Sequence, residues 1–96
     1  MPIVIAEFVK DPDSKLDYTM LWAPWLESGD ALASATWTAD PGITISSSPA
    51  ASFTSTTATV WLEGGTIGGA YNINCAITTT GSRVDERTFV LKVSDL

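Results

Sequence analysis

The chain has no histidine and a single cysteine, Cys75. A Ser–His or Cys–His pair therefore has no imidazole base. A zinc site of the Cys/His kind lacks its ligands, and an internal disulfide lacks its second sulfur. Cations are also scarce, with 5 Lys and Arg against 11 Asp and Glu, a formal charge of −6. Nucleic-acid binding, which displaces counterions with basic side chains, is disfavoured. So is attraction to an anionic membrane surface. No apolar run approaches the ~20 residues of a membrane-spanning helix. The opening "MPIVIAEFVKD" lacks the basic stretch of a secretory signal, so a soluble protein made in a cytoplasm is expected.

The acidic residues do not build a site either. Asp11, Asp13, Glu27, Asp30, Asp85 and Glu86 fall in turn-like stretches, where carboxylates serve solubility. "DPDSK" resembles the start of a calcium loop, but the sixth and twelfth positions hold Leu16 and Trp22 instead of glycine and glutamate. "GGTIGG", Gly64 to Gly69, has no lysine and leads into a strand pattern, so it reads as a connection and not as a phosphate cradle. No metal, cofactor or catalytic residue is expected.

What the chain does have is alternation. Ala58, Val60 and Leu62 share one face; so do Tyr71, Ile73, Cys75 and Ile77, and then Phe89, Leu91 and Val93. Period two between glycine clusters predicts half-buried strands. Upstream, Tyr18, Met20 and Trp22 form a further run, ended by Pro24. Ala33, Ala35 and Trp37 form another, with Trp37 the candidate central tryptophan. Ile43 and Ile45 make a short strand after the "ADPG" turn, whereas 50–57 is small and polar. Apolar residues are 45% of the 96, with four Trp and three Phe, enough for one core. The expected fold is all-β: an immunoglobulin-like β-sandwich of about seven antiparallel strands over 11–96, preceded by a segment 1–10. That segment is either an edge strand of the same domain or an arm that docks on a neighbour.

Read together, "KDPDSKLDYTMLWAPWL", "ASATWTADPGITISS" and "TATVWLEGGTIGGAYNINCAITTTGSRVDERTFVLKV" resemble a family of small tailed-phage proteins. These are described as fibre–tail adaptor or neck-associated virion proteins. The resemblance runs from Lys10 to Val93. It implies a structural virion protein and not an enzyme, made in the host cytoplasm. It also implies other virion proteins of neck, tail, fibre or capsid as partners, in multiple copies in a symmetric assembly.

The residues leave three functions to compare. The first is an adaptor or connector at the neck or tail. The second is a capsid decoration protein. The third is a carbohydrate-binding module, for which Trp25 and Trp61 are the available aromatic pair. Candidate interface residues are Ile3, Ile5 and Phe8 in the leading segment, with Trp25 and Trp61. Trp61 is out of phase with Val60 and Leu62 and so points outward, either covered by a loop or the leading segment, or free as a binding anchor. Between Ala31 and Leu62 the only charge is Asp40, a depletion that suits subunit contact or a Ser/Thr-rich soluble surface.

Overall fold

The structure, a computed structural model, describes residues 3–95, with side chains over 8–95. Eight strands follow one another: β1 (Ile3–Lys10), β2 (Lys15–Leu21), β3 (Leu32–Ala39), β4 (Ile43–Ile45), β5 (Ser52–Phe53), β6 (Thr57–Gly64), β7 (Ala70–Thr79) and β8 (Val84–Val93). There is no helix among the described residues. The strands form two sheets, one in the order β1-β8-β7-β3, the other β2-β6-β4 with β5 also pairing β6.

The inward row of each strand meets the opposite sheet. Ala58, Val60 and Leu62 on β6 and Ile73, Cys75 and Ile77 on β7 are buried, as are Phe89, Leu91 and Val93 on β8. The alternation in the last third of the sequence therefore marks the core directly. Trp22 lies just past β2 and is fully buried. Trp37, the expected central tryptophan, is buried but shallower at 8% exposure. Trp22 holds the deeper place because the guanidinium of Arg87 covers one side of its ring at 4.5 Å and Trp25 meets it edge-on at 5.6 Å.

The structure corrects one expectation and adds two pairings to the rest. Ala33 is exposed and does not share the face of Ala35 and Trp37. The β3·β7 register skips a residue between Leu32 and Ser34, and this bulge moves Leu32, not Ala33, into the core. The stretch 50–57 contains a short strand, β5, which pairs with Thr59 and Ala58 of β6. Within 11–96 the strands β2 to β8 pair only antiparallel, and the one parallel pairing comes from the leading segment. β1 runs parallel to β8, because the chain leaves β1 through the Asp11–Ser14 turn and enters β2 in the other sheet. No tight hairpin joins β1 to β8, so nothing forces them antiparallel.

Candidate functional site

No group of three or more Cys, Asp or Glu side chains converges as a metal cage among the described residues. The features that bear on function are the two ends of the sandwich, its outer faces and its open edges.

At one end a lysine does structural work. Lys10, at the end of β1, is fully buried, and its ammonium donates to the carbonyls of Asp11 at 2.6 Å and Gly64 at 2.8 Å. Burial pushes its pKa below the usual lysine value, against the opposing pull of Asp11, Asp13 and Glu63. The bond to Gly64 ties the end of the first sheet's edge strand to the end of β6 in the second. Gly65 follows with φ of 98°, and a Cβ there would meet Val93 at 2.5 Å and Ile43 at 2.9 Å. Tyr71, at the start of β7, accepts a hydrogen bond on its hydroxyl from the Thr66 N–H at 2.9 Å and lies against Gly42 and Gly69. The Asn72 N–H donates to the Asp40 carboxylate at 2.9 Å, and the Asp40 N–H returns a bond to the Asn72 carbonyl. The glycine-rich loop is thus a fitted joint between strands.

At the other end Asp30 joins the β2–β3 connection to the β7–β8 turn. One carboxylate oxygen accepts from the N–H of Ala31 and Gly81 and from the Thr80 hydroxyl, all within 2.8–2.9 Å. The Thr79 and Thr80 hydroxyls, with those two N–H groups, hold its pKa down at about 2. Beside it the Arg83 guanidinium donates to Glu27 at 2.9 Å, an exposed ion pair.

Of the five expected interface residues, the three whose side chains are described, Phe8, Trp25 and Trp61, do not lie in one patch. The side chains of Ile3 and Ile5 lie outside the described residues, although their backbone belongs to β1. Phe8 packs its ring within 5.4 Å of Tyr18 and 5.2 Å of Phe89 in the same chain, and remains 40% exposed. Ile3–Lys10 pairs with β8 of the same chain as the edge strand of the first sheet. Trp25 is half-buried and packs on Trp22 and the core. Trp61 is half-buried on the outer face of β6, opposite Asp17 of β2. It receives no cover from β1, which belongs to the other sheet. A flat two-tryptophan platform does not arise, because Trp25 turns toward the core and Trp61 away from it.

The buried hydroxyl of Tyr18 has no hydrogen-bond partner; burial, and then the charge of Asp17, raise its pKa. The Cys75 thiol is buried beside the Trp22 indole N–H, which makes no full hydrogen bond, and burial pushes its pKa up to about 11. It is a packing group and not a nucleophile.

A family model described as podophage GP4 fiber-tail adaptor protein gp77 matches residues 10–92. The chain belongs to this family. No curated protein matches it. The matched span begins at Lys10 and takes in Asp30, Asp40, Gly65 and Tyr71, the groups that join the strands. It leaves out most of β1. In the sequence Lys10 stands only at the end of the leading segment and the start of the family resemblance; its pairing with Gly64, 54 residues away, needs the fold. The Asp30 cluster carries a weak sequence signal, an aspartate ahead of one strand and a Thr-Thr-Thr-Gly turn after another.

Proposed function

We propose that the chain is a structural virion protein of a tailed phage, a connector at the neck or tail through which fibres attach. The observation that carries this is the family match over residues 10–92. The frame suits the role. A small two-sheet domain with its loops pinned by Lys10, Asp30, Asp40 and Tyr71 keeps its shape when loaded through its edges. The net charge of −6 keeps free subunits apart before assembly. Its partners are other virion proteins, met by several copies in a symmetric arrangement. It is made in the host cytoplasm and ends in the particle. Its role is binding and not catalysis.

The fold behind this reading is immunoglobulin-like. Three features support it. The strand order places β3, β7 and β8 in one sheet and β2, β6 and β4 in the other, as immunoglobulin strands C, F, G and B, E, D are divided. A buried tryptophan, Trp37, sits on the C-equivalent strand opposite Cys75. The Tyr71 hydroxyl bonds back to backbone five residues upstream, as in a tyrosine corner. The disulfide of antibody domains is replaced by Cys75 packed against Trp22.

The test is to purify the particles and count the chain in them. About six or twelve copies, as a cyclic ring gives, supports a connector. Copies on the order of hundreds would place it on the capsid as a decoration protein. Absence from the particle would refute a virion role.

A further inference from the structure

The first sheet has two open edges, β1 and β3. Along β3 the direction of each backbone group can be read. The Asp40 N–H bonds toward β7, to the Asn72 carbonyl at 3.1 Å. Stepping back by twos, Thr38, Thr36 and Ser34 also face β7, so Ala35, Trp37 and Ala39 aim their N–H and C=O groups away from the sheet. None of these groups meets a partner among the described residues. Natural edges are blunted by charge, proline or brevity. β3 has eight residues, none charged and none proline, and its bulge lies only at its start. The edge of the other sheet formed by β2 is protected by Lys15 and Asp17, and β4 is three residues long.

β1 is the complement of β3 within the same sheet. It also has eight residues and no proline. The two strands point the same way, since β1 is parallel to β8 while β3 and β8 are each antiparallel to β7. The Lys10 carbonyl faces β8, accepting from the Ser94 N–H at 2.9 Å, so Val9 aims its backbone outward. Two copies set side by side without inversion bring β3 of one against β1 of the next. That is a heterologous relation, which closes into a ring where the rotation between copies allows. Aligned end to end, Val9 falls beside Thr38 and Phe8 beside Trp37. This register satisfies two alternations at once. Backbone groups of Val9 face β3 while those of Thr38 face away, as a parallel ladder requires. Val9 and Thr38 share the outer face, while Phe8 and Trp37 share the inner one. Charge agrees as well: the β3 strand brings none to a chain that carries −6, so no like charges come to lie opposite one another.

We propose that β3 of one copy pairs in parallel with β1 of a second copy, joining copies head to tail through one continuous sheet. The proposal rests on the reading of the chain as a repeated virion component. The experiment introduces Val9→Cys and Thr38→Cys, singly and together. On oxidation, a mixture of the two purified single variants at high concentration should give a disulfide-linked dimer, and neither alone should. Particles carrying the double variant should give a ladder of linked multimers on a non-reducing gel. Ala35→Pro removes one outward donor and leaves the β7 ladder intact. It should abolish the ladder while the circular dichroism spectrum and melting stay close to those of the parent. Linkage by Thr38→Cys alone would mean β3 pairs with β3 and would overturn the proposal. So would a ladder that survives Ala35→Pro, or particles that contain the double variant and show no linkage. In that last case the connector reading stands. If the chain is missing from particles but the purified mixture links, the pairing stands and the connector reading fails.

Discussion

Replacing Gly65 by alanine tests how tightly the glycine joint is built. Two costs act there. The backbone sits at φ of 98°, where a Cβ is penalised by roughly 1–2 kcal/mol. The new methyl would also lie 2.5 Å from a Val93 methyl and 2.9 Å from Ile43, both in the core, and overpacking of this kind costs about 1–3 kcal/mol. The sum, about 2–5 kcal/mol, is a large share of the roughly 5–14 kcal/mol expected for a domain of this size. At about 4–8 °C per kcal/mol, melting should fall by at least ~8 °C. Gly68 supplies the control. Its φ is 86°, but nothing lies within 4 Å of a Cβ placed there, so Gly68→Ala should cost only the backbone part. Urea unfolding of both variants, followed by tryptophan fluorescence, measures the difference. Equal losses for Gly65→Ala and Gly68→Ala would refute the claim that Val93 and Ile43 close on Gly65.

Three further outcomes are expected. Lys10→Met keeps the apolar stem but deletes both donated bonds, leaving the Gly64 carbonyl short of a partner. A loss of about 1–3 kcal/mol is expected, and an unchanged urea midpoint would show that the tie between the sheets is idle. Asp30 has a folded pKa of about 2 against roughly 3.9 in an unfolded chain. Its contribution is therefore complete above about pH 4 and is lost as pH falls toward 2. Asp30→Asn should flatten the stability profile in that window, and a slope equal to the parent's would count against the cluster. Cys75, buried with its pKa near 11, should resist a thiol reagent at pH 8 until the chain unfolds. Labelling within seconds in the native state would contradict its placement.

The core was legible in the sequence because Ala58–Leu62, Ile73–Ile77 and Phe89–Val93 alternate with period two, and the apolar row of each is the row the structure buries. The bulge at Ala33 was not legible. Leu32 and Ala33 are both acceptable inner residues, and only the pairing with Thr79 and Thr78 decides between them. The place of the leading segment was undecidable for a similar reason. "IVIAEF" has no clean alternation, and its pairing with β8 spans nearly the whole chain, so no local signal fixes it. Trp22 outranks Trp37 in burial because Arg87 and Trp25 close over it, contacts that no spacing rule announces.

The pins also bear on how a family of adaptors can share one frame. Lys10, Asp30, Asp40, Gly65 and Tyr71 all lie within the matched span, and each has its polar atoms or its space taken up inside the domain. Substituting them would weaken the fold before it touched a partner. Outside these joints lie the open edge of β3, the outer face carrying Trp61, and the outer face of β1, most of which precedes the match. Sequence change at these surfaces costs little folding energy, because exposed positions away from caps and buried networks usually shift stability by within about 0.5 kcal/mol. If these surfaces meet the proposed partners, partner choice can vary there while the pinned frame holds the edges at fixed spacing. On this view a Thr36→Lys substitution, exposed on the outer face of β3, should leave melting nearly unchanged yet disturb assembly. A variant that melts early, or that assembles like the parent, would separate the edge from the function assigned to it.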